Sequence, residues 1–222
     1  MKTFIFLFLL LLPLFSKESI KHTFTLSYKF GTLGGGADFG FAFNKKFATR
    51  VNINGFSEFR KIRYNQKDFN LKGTLYNGGL LFDVHPWENA FCLTWGAYYS
   101  KNNIFLVHKP KSKKIVIGEH EYPAMQIGRV DTNIHFKHKV NPYLGLGFNS
   151  IDKTNKWHFV LDIGAVYINN ATAKIKARAN SGFKAMQPIL DNESKIEEDK
   201  LNKKLKKYKF YPVVSVGIGF NF

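Results

Sequence analysis

Hydrophobic residues recur at every second position over most of this chain, beginning at Thr23. Between Phe24 and Phe30 the intervening positions carry Thr, Ser and Lys. Successive side chains of a β-strand point to opposite faces, so this segment predicts a strand with one apolar and one polar face. The same alternation predicts further strands over residues 33–43, 47–53, 71–84, 91–99, 130–136, 143–148, 157–167, 172–179 and 214–222.

The alternation reverses its phase at two places. After Gly31–Thr32 the reversal predicts a two-residue hairpin turn, and Gly at the first turn position suits type II′. This turn would place Leu26 opposite Ala37. The second reversal, at Gly78–Gly79, is interpreted as a β-bulge.

The connections between the predicted strands divide into short turns and long loops. Short turns at 44–46, 85–90 and 137–141 fall on one side of the predicted sheet. Long loops at 59–70 and 101–127 fall on the other, and a small hairpin is expected at Lys114–Ile117. Residues 188–207 lack the period of two and are rich in Glu, Lys and Leu. They predict a short helix within a loop, at about 180–209, before the last strand.

An apolar face with almost no charge favours a lipid-facing barrel over a soluble sheet. The opposite face consists of Gly, Ser, Thr, Asn and isolated charges, which would pack poorly inside a sandwich. In a bilayer every backbone amide must be paired, so a spanning sheet closes on itself. We therefore predict an all-β, closed antiparallel transmembrane β-barrel. A soluble exported β-sandwich is the alternative.

The strand count follows from where the connections fall. Outer-membrane barrels usually place short turns on the periplasmic side and long loops outside. Ten strands would put both chain ends on the short-turn side and the helix outside, so ten is the preferred number and eight the alternative. Aromatic residues near the strand ends would form girdles at the membrane interfaces. These are Phe43, Phe47, Trp87, Phe91, Trp157 and Tyr211.

The first residues indicate export. Lys2 precedes an uncharged apolar run from Phe4 to Phe15, followed by the polar residues Ser16–Ser19. The run is too short for a helix that crosses a hydrocarbon core of about 30 Å. A basic start, a short apolar stretch and a small residue are typical of a secretory signal peptide. We predict a signal peptide over residues 1–16 and a barrel over 17–222, with an uncleaved anchor as the alternative.

Composition narrows the remaining classes. The single Cys among 222 residues excludes a disulfide framework or a cysteine-built zinc site. With 33 Lys and Arg against 16 Asp and Glu, the net charge of +17 should attract phosphates or anionic lipid. Nucleic-acid binding has only this charge in its favour, and the predicted location opposes it.

Four segments carry a resemblance to a known family. They are Phe30–Asn44, Asp83–Trp87, Asn141–Gly147 and Tyr208–Ser215. Together they resemble a largely uncharacterised family of Gram-negative outer-membrane barrels that includes relatives of the ornithine-uptake porins. The resemblance implies the cell outer membrane and, less directly, solute uptake. The terminal Phe220 and Phe222 resemble the signal read by the barrel assembly machinery.

With the apolar face outward, nine charged residues are predicted to point into the lumen. Mixed charges in so narrow a barrel would pair and plug it, or line a porin-like passage for small charged solutes. The predicted function is this passage, and the alternative is a closed structural or surface-interaction barrel. The nine are Lys29, Asp38, Arg50, Asp83, Asp131, Asp162, Lys174, Lys176 and Arg178.

Basic residues in the long loops are candidates for contact with lipopolysaccharide phosphates, although such runs are often only solvated. Catalysis is not predicted, although barrel hydrolases can assemble Ser, His and an acid from separate strands. His135 and His138 would lie on opposite strand faces, so no metal site or cofactor is predicted. We expect a monomer among outer-membrane lipid. The loop candidates are Arg60, Lys61, Arg63, Lys109, Lys111, Lys113 and Lys114.

Overall fold

Antiparallel strands make up most of the structure, a computed structural model that describes residues 23–64, 67–110, 114–136, 138–151, 156–168 and 171–222. The signal-peptide prediction, 1–16, lies outside these residues. The strands are β1 (Thr23–Gly31), β2 (Gly34–Ala42), β3 (Phe47–Tyr64), β4 (Lys67–Val84), β5 (Phe91–Ser100), β6 (Asn103–His108), β7 (Lys114–Ile117), β8 (His120–Pro123), β9 (Ile127–Phe136), β10 (Val140–Phe148), β11 (Trp157–Tyr167), β12 (Ala171–Ala179) and β13 (Phe210–Asn221). The helix is α1 (Gln187–Leu205), preceded by a 3-10 turn at Ser181–Met186.

Eight of these strands form a closed ring. Their order is β4, β3, β2, β1, β13, β11, β10 and β5, and pairing of β5 with β4 closes the circle. The predicted closed antiparallel barrel is therefore confirmed. The preferred count of ten strands is not confirmed, and the alternative of eight is the one observed.

Five strands of the ring continue beyond it at one end. Residues 69–74 of β4 pair with β6, β6 pairs with β9, and β9 pairs with β12. β6 keeps the register that β5 has against β4, so β5 and β6 follow one line. β9 and β12 likewise extend the line of β10 and β11. We call residues 55–64 of β3, 67–76 of β4, β6, β9 and β12 the extension sheet.

The extension sheet explains the wrong strand count. Two segments predicted as barrel strands, 130–136 and 172–179, belong to this sheet rather than to the ring. The predicted turn at 137–141 is not a reversal, because β9 and β10 run in the same direction. In the predicted loop at 59–70, residues 59–64 of β3 are paired with residues 67–72 of β4. With eight strands, both ends of the ring's chain still lie with the connections 43–46 and 85–90, at what we call the short-turn end.

The predicted faces of the barrel are confirmed. In β1, Thr23, Thr25, Ser27 and Lys29 are buried in the lumen, whereas Phe24, Tyr28 and Phe30 are exposed on the outside. The apolar outer surface continues around the ring. It includes Phe39, Val51, Ile53, Leu80, Leu93, Leu144, Leu146, Phe159, Ile163, Val216 and Ile218.

The phase change at Gly78–Gly79 marks a change of surroundings rather than a bulge. β4 keeps one unbroken register against β3 from Val84 to Lys67. On the side of the glycines that leads to the short-turn end, Leu80 and Phe82 face outward. On the other side, Leu71 and Leu75 face the inner side of the extension sheet. The apolar residues change sides because the strand leaves the apolar belt of the barrel there.

Most of the predicted aromatic girdle lies at the short-turn end. Trp87 contacts Phe91 with ring centroids 5.2 Å apart, and Trp157 contacts Phe220 at 4.9 Å. Tyr211 is an exception, because it points inward and its hydroxyl donates to the carbonyl of Thr32 at 2.7 Å. Within the described ranges, no helix combines the length and apolar character that a membrane crossing requires.

The predicted helix is confirmed as α1, and it covers the free edge of β12. Four α1 side chains, one turn or two apart, accept hydrogen bonds from alternate backbone N–H groups of β12. An uncovered edge would expose these groups to strand pairing with another chain. The bonds run from Ala173 to Asn202 (2.8 Å), Ile175 to Glu198 (3.0 Å), Ala177 to Ser194 (3.0 Å) and Ala179 to Gln187 (3.0 Å).

The predicted small hairpin is confirmed as β7–β8, and Glu193 of α1 holds its turn. The N–H of Glu119 donates to the Glu193 carboxylate at 2.9 Å, and His120 Nδ1 lies 2.8 Å from the same group. Gly118 has a φ of +66°, and a side chain there would meet Glu193. The hydrogen bond from Glu119 and the contact with His120 lower the pKa of Glu193 from its ordinary value of 4.5.

Acid is expected to release the hairpin from α1. Because the pKa of Glu193 is lower in the folded state, its contribution is complete at neutral pH and is lost as the pH falls below about 4.5. The amide resonance of Glu119, followed by NMR in detergent micelles, should move with this titration. Glu193→Gln should abolish the movement, whereas Glu121→Gln, at an exposed pair with Lys114, should not. An unchanged titration in Glu193→Gln would contradict this assignment.

Candidate functional site

Five charged side chains from five strands meet in the middle of the barrel. We call Lys29, Asp38, Arg50, Asp83 and Asp162 the charge cluster. Each is at least nine-tenths buried. The inward positions of β1, β2, β3, β4 and β11 place them there, and ring closure brings residues as far apart as Arg50 and Asp162 into contact.

Arg50 is the centre of the charge cluster. Its guanidinium contacts three carboxylates: Asp38 at 2.9 Å, Asp83 at 2.8 Å and Asp162 at 2.6 Å. Lys29 bridges two of the same carboxylates, with its Nζ 2.6 Å from Asp38 and 2.7 Å from Asp162. The planar fork of arginine suits such multiple contacts, which a single ammonium group could not reproduce.

Neutral side chains complete the hydrogen bonding of the carboxylates. Thr94 donates its hydroxyl to Asp83 at 2.6 Å, and Ser215 donates to Asp162 at 3.3 Å. Asn52 donates its amide to Asp38. Buried charges are tolerated when their remaining hydrogen-bonding capacity is filled in this way. The charge cluster, held in place by these ion pairs and hydrogen bonds, therefore fills the lumen at this level.

The formal charges of the cluster do not balance. Three carboxylates face two cations, so its net charge is −1 (2 − 3) when all five groups are ionised. Such a site would attract a further, small cation in addition to Lys29 and Arg50.

An apolar layer lies beyond the charge cluster, towards the extension sheet. We give this name to the six buried residues Leu33, Leu81, Tyr98, Tyr143, Val166 and Val213. Tyr98 and Tyr143 meet edge to face, with ring centroids 5.4 Å apart. On the other side, towards the short-turn end, the inward residues Thr25 of β1 and Asn221 of the neighbouring β13 are buried, and Thr25 donates to Asn221 at 2.8 Å. The interior is thus filled at three levels.

Five of the nine predicted lumen residues are brought together in the charge cluster, and four are not. Asp131 lies in the extension sheet, 3.1 Å from Arg129 and 3.4 Å from Arg178. Lys174, Lys176 and Arg178 are exposed on β12. Their placement in the lumen was wrong because β9 and β12 alternate like barrel strands but stand outside the ring.

The basic candidates lie in the extension region. Lys61 is exposed on β3, Lys109 is exposed after β6, and Lys114 pairs with Glu121 at 3.1 Å. Arg60 and Arg63 belong to β3 rather than to a loop, and their side chains lie outside the described ones. Lys111 and Lys113 also lie outside the described residues. Binding by this group stays a prediction.

The terminal aromatic residues sit where β13 meets β1. Phe222 and Phe24 exchange backbone hydrogen bonds of 2.9 and 3.0 Å. Their rings stack with centroids 5.9 Å apart, and Phe220 stacks on Phe222 at 6.3 Å. An assembly signal at Phe220 and Phe222 stays a prediction.

The neutral hydrogen-bonding partners and the apolar layer were not among the residues predicted from the sequence. Thr94 and Asn52 lie on inward positions that the alternation identifies, but only charged residues were selected from those positions. Tyr98 and Tyr143 are inward too, and their size could have indicated that part of the lumen is filled by rings.

Comparison with solved structures finds the same fold elsewhere. The chain is similar to the crystal structure of Acinetobacter baumannii CarO, with a TM-score of 0.61, 23% identity and coverage of 93% of this chain and 100% of that chain. It is also similar to Acinetobacter baumannii CarO2, with a TM-score of 0.63, 20% identity and coverage of 92% and 100%. At these identities the similarity establishes the fold alone. No family model and no curated protein matches the chain.

Proposed function

We propose that this chain is an outer-membrane β-barrel of porin-like architecture whose lumen is closed and which acts at the cell surface through its extension sheet. The exposed apolar belt of a closed ring supports the membrane location, since a spanning sheet needs both features. The similarity in fold to CarO and CarO2 supports the same class. The short-turn end then faces the periplasm.

The charge cluster is the observation that supports a closed lumen. Arg50 is fully enclosed by three carboxylates, and the apolar layer adds a second barrier. An eight-stranded barrel has room for little more than its own side chains. Passage of a solute would require several buried ion pairs to separate at once.

A narrow passage for small cationic solutes is the second candidate function. The net negative charge of the cluster favours it, because a carboxylate in excess of its protein partners can receive an ammonium group. This candidate requires the Tyr98–Tyr143 contact to open.

Single-channel conductance in planar bilayers distinguishes a closed barrel from a narrow passage for cationic solutes. We expect the wild-type barrel to give no single-channel steps, because its lumen is filled at three levels. Heat-modifiable gel mobility of the same preparation is the control, since it reports a folded, detergent-resistant barrel. Cation-selective steps that shrink in Asp162→Asn would instead establish the passage and overturn the closed lumen.

We propose that the barrel assembly machinery reads Phe220 and Phe222, and that the barrel works as a monomer among outer-membrane lipid and lipopolysaccharide. We propose neither a catalytic role nor a cofactor.

A further inference from the structure

A shallow depression lies on the outward face where the extension sheet rises from the barrel. It has a volume of about 430 Å³ and is formed by β4 and the junction of β5 with β6. Two lysines, two small polar residues and two aromatic rings line it. They are Lys72, Lys101, Thr74, Asn103, Tyr76 and Phe105.

The two lysines are free to bind an anion. Both are exposed, and neither has an ion-pair or hydrogen-bond partner for its ammonium group among the described residues. Lysine is a common phosphate ligand, acting as a point charge. By contrast, Asp131 of the same sheet is already paired with Arg129 and Arg178.

The wall of the depression is fixed by hydrogen bonds. The N–H of Lys101 donates to the carbonyl of Tyr76 at 2.8 Å, and the N–H of Tyr76 donates to the Asn102 side chain at 3.1 Å. Asn102 in turn donates to Asn77 at 3.1 Å. The spacing between the backbones of the two lysines is therefore set by hydrogen bonding, with Lys72 in β4 and Lys101 held to Tyr76 at the junction of β5 and β6.

The depression begins at the upper limit of the apolar belt. Tyr76 and Tyr99, 55% and 52% exposed, stand on the outward face just above Leu80. Exposed tyrosines of this kind are typical of the membrane interface. Lys101 is opposite Tyr76, so its ammonium group lies at the level of the lipid headgroups.

The height of the site discriminates between lipid classes. Lys72 is four residues beyond Tyr76, a distance of about 13 Å along the strand, or about 10 Å of height at a tilt of about 40°. The headgroup zone of an ordinary bilayer leaflet is only about 5–8 Å thick. With both side chains standing perpendicular to the sheet, a ligand that reaches both lysines is therefore taller than a glycerophospholipid headgroup.

The lining suits a phosphorylated sugar. The lysines provide charges for two separated phosphates, Thr74 and Asn103 can bond hydroxyl groups, and Tyr76 and Phe105 offer flat surfaces to sugar rings. We propose that this depression binds the phosphorylated saccharide headgroup of lipopolysaccharide. The inference rests on the outer-membrane location proposed above.

The test compares two double variants of the full-length barrel in neutral detergent. Lys72→Ser with Lys101→Ser removes the two charges of the depression. Lys174→Ser with Lys176→Ser removes two exposed charges from the same sheet, on β12. Purified lipopolysaccharide is titrated against the wild type and each variant. At each concentration we measure the temperature above which the gel band of the folded barrel is lost.

We expect lipopolysaccharide to raise this temperature for the wild type and for the β12 variant. The variant in the depression should bind at least about tenfold more weakly, because it lacks both charge-assisted contacts. Dephosphorylated lipopolysaccharide should have little effect on any of the three proteins.

Three results would overturn the inference. Equal weakening in the β12 variant would mean that only net charge matters. If phosphatidylglycerol raised the unfolding temperature as much as lipopolysaccharide does, the sugar and its height would play no part. If the variant in the depression bound lipopolysaccharide as tightly as the wild type, the site would be excluded. If the wild type showed no heat-modifiable mobility at all, the membrane barrel itself would be wrong, which is a separate failure.

Discussion

Replacing Arg50 with alanine is expected to lower the free energy of unfolding by about 3–5 kcal/mol, the usual cost of removing one partner from a buried ion pair. The variant leaves Asp38 and Asp162 with Lys29 as their remaining partner in the charge cluster, whereas Asp83 keeps only its hydrogen bond from Thr94. Urea titration of the barrel in detergent micelles, read by heat-modifiable mobility, measures the change.

Two companion variants separate charge from geometry at this position. Arg50→Lys keeps the charge but not the contact with three carboxylates. We therefore expect it to lower the free energy of unfolding, but by less than Arg50→Ala does. Val51→Ala, on the next residue and the outward face, is the matched control and should cost less. A urea midpoint for Arg50→Ala equal to that of the wild type would show that the charge cluster does not hold the barrel together.

Replacing Leu190 with aspartate is expected to detach α1 from the extension sheet while leaving the barrel folded. Leu190 is 0% exposed and packs with Ile115, Ile117 and Ala177. An unpaired carboxylate cannot remain there without a large penalty. Once α1 leaves, the N–H groups of β12 lose their acceptors and should exchange with solvent about 100-fold faster, the effect of roughly 3 kcal/mol.

Hydrogen exchange at Ala173, Ile175, Ala177 and Ala179 provides the measurement. Ile189→Asp is the matched control, because Ile189 is the preceding residue of α1 and is 53% exposed. It should leave these amides protected. Loss of heat-modifiable mobility in Leu190→Asp would contradict the expectation, because it would make the extension sheet part of the barrel's own stability.

Periodicity was sufficient to predict the ring and its faces, but not the number of strands. Alternation shows only that one face of a strand is apolar and the other polar. A strand of the barrel wall and a strand of the extension sheet therefore have the same pattern. β9 and β12 carry apolar residues on one side because α1 and β7–β8 cover that side. Nothing local in Val130–Phe136 distinguishes this cover from lipid.

The register of the first hairpin shows another limit. Leu26 was predicted opposite Ala37, and it lies opposite Phe39, because the turn is at Thr32–Leu33 rather than Gly31–Thr32. A shift of two residues returns every side chain to the same face. The pattern of apolar and polar positions is therefore identical in both registers.

The charge cluster was predictable in its members but not in its pairing. Lys29, Asp38, Arg50, Asp83 and Asp162 all occupy inward positions of ring strands. Their contacts depend on the height at which each strand crosses the lumen, which is set by the stagger of the closed ring. Asp131 and Lys174 entered the predicted set for a different reason, because β9 and β12 alternate like barrel strands although they stand outside the ring.

The two edges of the extension sheet are unequal, and this limits how copies could associate. α1 covers the β12 edge, whereas residues 56–64 of β3 pair with β4 but with no other strand in the described ranges. A neighbour could add only at β3, so the single symmetric arrangement would join β3 to β3 across a two-fold axis and bring Lys61 near its own copy. Such a contact closes on itself. Growth of open-ended polymers therefore has no second edge to use among the described strands of the extension sheet.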